Sequence, residues 1–178
     1  NTIPSKTVDK NGKEIVNGRI PVVIELSSLK INKEDFTMTK GTSETLTVTG
    51  TPADALEGQT ITWKSSNKDV VTVDSEGKVE AVGVGNATIT ATAAGKSDSV
   101  KITVNNPLKK ITVDPATLTL KKGTSKTLSV KYDPADTTDN KAVTWESSDK
   151  SVATVDANGK VTALKDGSAT ITAKVGKL

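Results

Sequence analysis

The sequence predicts an all-β protein: two small sandwich- or barrel-like units in tandem behind an N-terminal tail. Three observations carry this. Residues 27–96 and 109–178 align without a gap, 82 positions apart, and 30 of the 70 aligned positions are identical. Trp63 falls on Trp145, Gly41 on Gly123, Pro52 on Pro134, Asp74 on Asp156 and Gly77 on Gly159. That period is too long for a solenoid unit of about 20–50 residues and suits a small whole domain. Second, threonine and valine dominate, in short β-branched runs separated by Gly, Pro, Asn and Asp. Turn signals every 8–12 residues or so are the pattern of an all-β sandwich or barrel. Third, no stretch has the periodicity of a long amphipathic helix.

In the first unit the strands are expected at 29–31, 36–39, 44–49, 60–65, 70–73, 78–81, 86–93 and 100–104. The clearest alternation is Leu46-Thr47-Val48 and Ala87-Thr88-Ile89-Thr90-Ala91, where every second side chain faces one way. Asp74-Ser75-Glu76-Gly77 and Asp156-Ala157-Asn158-Gly159 read as hairpin turns, with glycine supplying positive φ. Trp63 and Trp145 lie mid-strand between polar residues, and each can bury about 150–250 Å². We expect them to anchor the cores rather than to serve as exposed ligand platforms. Asn105-Asn106-Pro107 joins the units as a short, stiff connection, so the pair should form a rod with limited bending.

Composition narrows the function. The 178 residues carry a net charge of +3, from 24 Lys+Arg against 21 Asp+Glu, and the one arginine is Arg19. Nucleic-acid readers rely on arginine forks and stacking aromatics. The aromatics here are Phe36, Trp63, Tyr132 and Trp145, and the lysines are scattered, so we expect no nucleic-acid function. No apolar run approaches the roughly 18–20 residues of a membrane span, so no membrane insertion is expected. Residues from Asn1 onward lack the charged start and apolar block of a signal peptide. Histidine and cysteine are both absent, which removes disulfides, His-based triads, Cys nucleophiles and most transition-metal sites.

At VTWESSDKSVATVDANGKVTALKDGSATITA (143–173), and at ITWKSSNKDVVTVDSEGKVEAVGVGNATITA (61–91), the sequence resembles the bacterial immunoglobulin-like domain, group 2, of the invasin/intimin-related superfamily. The stretches LTLKKGTSKTLSV (118–130) and FTMTKGTSETLTV (36–48) match the family's opening strands. The resemblance implies tandem immunoglobulin-like β-sandwiches without the antibody disulfide, at 27–106 and 107–178, with 1–26 as a tail or the end of a preceding domain. It implies bacterial surface adhesins, secreted wall or polysaccharide enzymes, or phage virions as the setting. The family shares no catalytic residues, so none are assigned, and no cofactor is expected.

Leu178 aligns with Lys96, so the second unit has no counterpart to the first unit's closing strand at 100–104. A sandwich without that strand carries a bare sheet edge. At the other end, the same offset lays Ile20 and Val22 on Ile102 and Val104, behind an Asn17-Gly18 turn signal. We expect 1–26 to be the end of a preceding domain and Leu178 a boundary that cuts short the second. A sharper expectation is strand addition: residues 19–26 of another copy, or a partner's strand, would fill the vacant edge. Pro21 would weaken that strand by removing a ladder donor.

Other motifs point away from chemistry. Ser65-Ser66-Asn67-Lys68 and Ser147-Ser148-Asp149-Lys150 match S-x-x-K, but the companion S-D-N and K-T-G elements are missing. Turns held by hydroxyl-to-backbone bonds are the favoured reading. Asp133, Asp136 and Asp139 cluster in YDPADTTDN without EF-hand spacing, and the first unit retains Asp54 and Glu57 there. A solvated turn is favoured over a calcium site. Gly83-Val84-Gly85 is too short for a phosphate loop. A Lys–Asn or Lys–Asp isopeptide crosslink stays open as an alternative.

The expected role is therefore a non-catalytic spacer or display module, outside the cell on a bacterial surface or secreted, or on a phage particle. Its expected partners are neighbouring domains and a cell-wall glycan or host surface protein. A carbohydrate- or wall-binding accessory module of a secreted enzyme is the alternative, for which an exposed row including Tyr132 and Phe36 would speak.

Overall fold

The computed structural model describes residues 7–12, 14–15 and 24–178, so the Asn17-Gly18 turn and most of the 19–26 strand lie outside the described residues. Strands β1 (Thr7–Val8) and β2 (Glu14–Ile15) form a short antiparallel ribbon. The first unit follows with β3 (Ser28–Ile31), β4 (Phe36–Thr39), β5 (Ser43–Thr45), β6 (Val48–Thr51), β7 (Thr62–Ser65), β8 (Val71–Val73), β9 (Lys78–Ala81), β10 (Gly85–Ala93) and β11 (Lys96–Asn105). Among the described residues a 3-10 turn at Ala53–Leu56 is the one helical element, and the sequence pattern did not announce it.

One sheet runs β4-β11-β10-β7; facing elements are the pair β3-β6 and the triplet β5-β9-β8. The single strand expected at 44–49 is divided. Its first part pairs with β9 and its second with β3, so the chain changes sheets at Leu46-Thr47. Leu46, 1% exposed, sits at the crossing and donates its N–H to the Gly77 carbonyl at 2.9 Å. Unbroken alternation hides such a change of sheet, because the inward side chains stay inward.

The closing strand β11 sits between two neighbours. It pairs antiparallel with β10 from Lys96 to Val104 and parallel with β4, Ile102 opposite Phe36 and Val104 opposite Met38. Its Val100, Ile102 and Val104 are at most 1% exposed and meet Ala87, Ile89 and Ala91 of β10 in the core. Burying side chains of this size is worth about 1.5–3 kcal/mol each. Leu26, one residue before the boundary expected from sequence, is 6% exposed and belongs to this core.

The second unit repeats the plan with β12 (Lys110–Asp114), β13 (Ser125–Thr127), β14 (Ser129–Asp133), β15 (Thr144–Ser147), β16 (Ala153–Val155), β17 (Lys160–Ala163) and β18 (Ile171–Lys174). Its pairs β12-β14, β13-β17-β16 and β15-β18 reproduce β3-β6, β5-β9-β8 and β7-β10. Residues 118–121, aligned with β4, form no strand, and β18 begins four positions later than the alignment with β10 would place it. Both losses have one cause: β11, which pairs with β4 and β10, has no equivalent in the second unit among the described residues.

Candidate functional site

The most repeated residues turn out to build the fold. Trp63 and Trp145 are half-buried rather than sealed in the core, each lying over the glycine of the hairpin turn. A Cβ on Gly77 would stand 2.8 Å from Trp63 Cζ2 and 2.5 Å from the Leu46 carbonyl oxygen. The same contact recurs at Gly159, 2.8 Å from Trp145 Cζ2. Asp74 closes the turn by accepting the Glu76 and Lys78 N–H groups at 2.9 Å, as Asp156 does for Asn158 and Lys160. Glycine is required there because φ is +83° at Gly77 and +78° at Gly159.

The S-x-x-K serines are likewise engaged. Buried Ser65 donates its hydroxyl to the Val71 carbonyl at 2.6 Å, and Ser147 does so to Ala153 at 2.6 Å. Ser66 and Ser148 accept the N–H of Thr88 and Thr170 at 2.8 Å. The hydroxyls stitch strand to strand. Tyr132 and Phe36 form no exposed row: Lys141 Nζ stands 5.2 Å from the half-buried Tyr132 ring centre, and Lys33 Nζ 4.1 Å from that of Phe36.

The acidic loop expected to be a solvated turn holds the connection between the units. Asn106, 7% exposed, donates its side-chain amide to Asp136 Oδ1 at 2.8 Å. Its backbone exchanges bonds with Thr138, N–H to Oγ1 at 3.1 Å and carbonyl from Thr138 N–H at 2.9 Å. Leu108 N–H donates to Asp139 Oδ2 at 2.9 Å. From the first unit, Lys40 reaches across with Nζ 2.6 Å from Asp136 Oδ2. Asp136 thus takes two bonds, one from the linker's Asn106 and one from Lys40 of the first unit. Among the described residues, no group of three or more carboxylates is placed to hold a metal ion.

The Lys40 hydrogen bond and charge, with Asn106 adding its own bond, hold the Asp136 carboxyl below its ordinary value of 3.8. A depressed carboxylate stabilises the joint fully above that ordinary value, and the contribution is lost as pH falls through the lowered one. We therefore expect the Asn106 side-chain amide resonances to shift in an NMR titration with a midpoint below 3.8. A midpoint at or above it would contradict the latch.

The second feature is a trench of about 700 Å³ in the second unit, where β11 lies in the first. Leu118, Leu120, Ala169 and Ile171 line it, with Lys122 at its rim. The corresponding Ile89 and Ala87 are 0% and 2% exposed, whereas Ile171 and Ala169 are only half-buried and Leu118 is 37% exposed.

The model of the bacterial Ig-like domain (group 2) family matches residues 26–104 and again 107–177. The chain belongs to that family. Over 70 residues, 39% of this chain, it is 51% identical to lacto-N-biosidase of Bifidobacterium bifidum, covering 6% of that protein. Ice-binding protein 1 of Shewanella frigidimarina is 32% identical over 127 residues, 67% of this chain and 14% of that protein. The minor capsid protein of Enterobacteria phage T3 is 38% identical over 87 residues, 48% of this chain and 19% of that protein. The bacterial Ig-like units span less than a fifth of each of these relatives. Such units are non-catalytic Ig-like domains, found in adhesins and as accessory domains of glycoside hydrolases.

Proposed function

We propose that this chain is a non-catalytic spacer and display module, working outside the cell as part of a bacterial surface or secreted adhesin-type protein. The observation that carries this is the joint. The backbone N–H and side-chain amide of the linker's Asn106 and Lys40 of the first unit converge on one loop of the second unit, so the connection between the Ig-like units is held rather than slack. A fixed joint converts tandem domains into a strut, whose length sets how far a terminal domain stands from its anchor. The relatives fit this reading. A glycosidase, an ice-binding protein and a phage capsid protein share no chemistry by name, and spacing is a service all three can use.

A second reading, a carbohydrate- or wall-binding accessory of a secreted enzyme, is favoured by the likeness to lacto-N-biosidase. Sedimentation with intact Gram-positive cells and purified walls separates the two, with a Trp63→Ala/Trp145→Ala chain as the unfolded control. The spacer reading expects no retention above the control. Saturable retention would overturn it in favour of the binding module.

A further inference from the structure

One carboxylate at the joint holds an amine and a carboxamide together. Asp136 accepts from Lys40 Nζ with Oδ2 at 2.6 Å and from Asn106 Nδ2 with Oδ1 at 2.8 Å. A group placed on both a nucleophile and a leaving group can carry a proton from one to the other.

The backbone sets up the encounter. β4 and β11 run parallel with Thr39 opposite Asn105, and the Lys40 N–H extends the ladder to the Asn105 carbonyl at 2.8 Å. Lys40 and Asn106 are the next residues along. Each lies two positions after an inward residue of its own strand, Met38 and Val104, so both side chains leave on the same side. Asn106 is 7% exposed, and its backbone is fixed to Thr138 through both N–H and carbonyl. Pro107 follows it, and proline has no backbone N–H. The common loss of an asparagine carboxamide, by attack of the next backbone nitrogen, is therefore closed. An amine that shares its carboxylate is the nucleophile left in place.

We propose that Lys40 and Asn106 condense to an isopeptide bond, with Asp136 of the second unit as proton carrier. Asp136 takes a proton from the Lys40 ammonium, and the freed Nζ adds to Asn106 Cγ. The Cγ–Nδ2 bond then breaks as that proton, and a second from Nζ, pass to the departing nitrogen. One Nζ–Cγ bond replaces one Cγ–Nδ2 bond, ammonium leaves, and Asp136 ends ionised as it began. Proton transfer from an ammonium to a carboxylate is uphill in water. The Lys40 and Asp136 side chains are 37% and 52% exposed, so the bond forms slowly, after folding rather than during it. Because the carrier belongs to the second unit, the bond ties β4 to the end of β11 only when the units are docked. The chemistry rests on the geometry of the joint and not on the spacer role, which a fixed joint could serve without the bond.

Intact mass of the full chain, followed through prolonged incubation at neutral pH, tests this. The expected result is progressive loss of one ammonia per chain, absent when the chain is kept unfolded in urea. A tryptic digest then yields residues 34–64 joined to 102–109 through an uncleaved Lys40. In the NMR spectrum the two Asn106 side-chain amide protons of the fresh chain give way to one. Lys40→Arg keeps the charge on Asp136 without the nucleophile and holds its full mass. Asp136→Asn keeps a polar side chain without the proton acceptor and slows the loss about 100-fold or more. Asn105→Ser, beside the site but facing outward, leaves the rate unchanged. A wild-type mass that never falls overturns the proposal, as does hydrolysis of Asn106 to aspartate in place of the crosslink. So does ammonia loss that keeps its wild-type rate in Lys40→Arg or Asp136→Asn.

Discussion

The two Ig-like units are expected to unfold in separate transitions, the second well before the first. Both share the hairpin, the tryptophan lid and the serine stitches, so local structure does not distinguish them. Closure of the core does. Val100, Ile102 and Val104 contribute about 1.5–3 kcal/mol each on burial, and they also cover Met38, Ala87 and Ile89, which are 5%, 2% and 0% exposed. In the second unit the buried apolar residues are Leu128, Val161 and Val175, and the trench-lining Leu118, Leu120, Ala169 and Ile171 stay partly exposed. A domain holds only about 5–15 kcal/mol in total, so losing one strand's core contacts takes a large share. One tryptophan per unit makes the test direct: urea titrations of Trp63→Phe and Trp145→Phe each report a single unit. The chain containing Trp145 alone should show the lower midpoint. Coincident midpoints would show that the units stabilise each other enough to unfold together.

Gly77→Ala is expected to destabilise the first unit by about 2–4 kcal/mol, a large share of the margin of a small domain. Positive φ alone costs an alanine about 1–2 kcal/mol. The added methyl would also sit 2.5 Å from the Leu46 carbonyl oxygen and 2.8 Å from the indole, with backbone on one side and a packed ring on the other. Neither yields cheaply. The contrast is Gly41→Ala, where φ is +85° but nothing lies within 4 Å, so only the backbone strain applies. Thermal melts of the two variants should differ, Gly77→Ala falling further. Equal shifts would mean that the tryptophan lid moves aside without cost.

Much of this was legible beforehand because it is written in local order. The bounds of β4 and β9 follow from the alternation of Phe36-Thr37-Met38-Thr39 and Lys78-Val79-Glu80-Ala81, and the Asp74 turn from its Asp and Gly. Trp63 was legible as a packed residue, but not as a lid on Gly77, since that contact depends on how β7 crosses the β8-β9 hairpin. The change of sheet at Leu46 left no trace in the alternation. The joint was the larger omission. Lys40 and Asp136 are 96 residues apart, and YDPADTTDN viewed alone looks like a solvated acidic loop. A signal did exist: both residues lie in stretches that the two copies share although neither contributes to a core.

A strut requires that joint to be fixed. The chain contains no cysteine, so Glu76→Cys and Asn158→Cys place one spin label in the exposed hairpin turn of each unit without competing thiols. Pulsed electron–electron distance measurement at neutral pH, in dilute monomeric solution, should give one narrow distribution. It should broaden in Lys40→Ala/Asp136→Ala, which removes the cross-unit pair and one linker bond together. A wild-type distribution as broad as that of the variant would contradict the account, leaving the Ig-like units as beads on a loose tether.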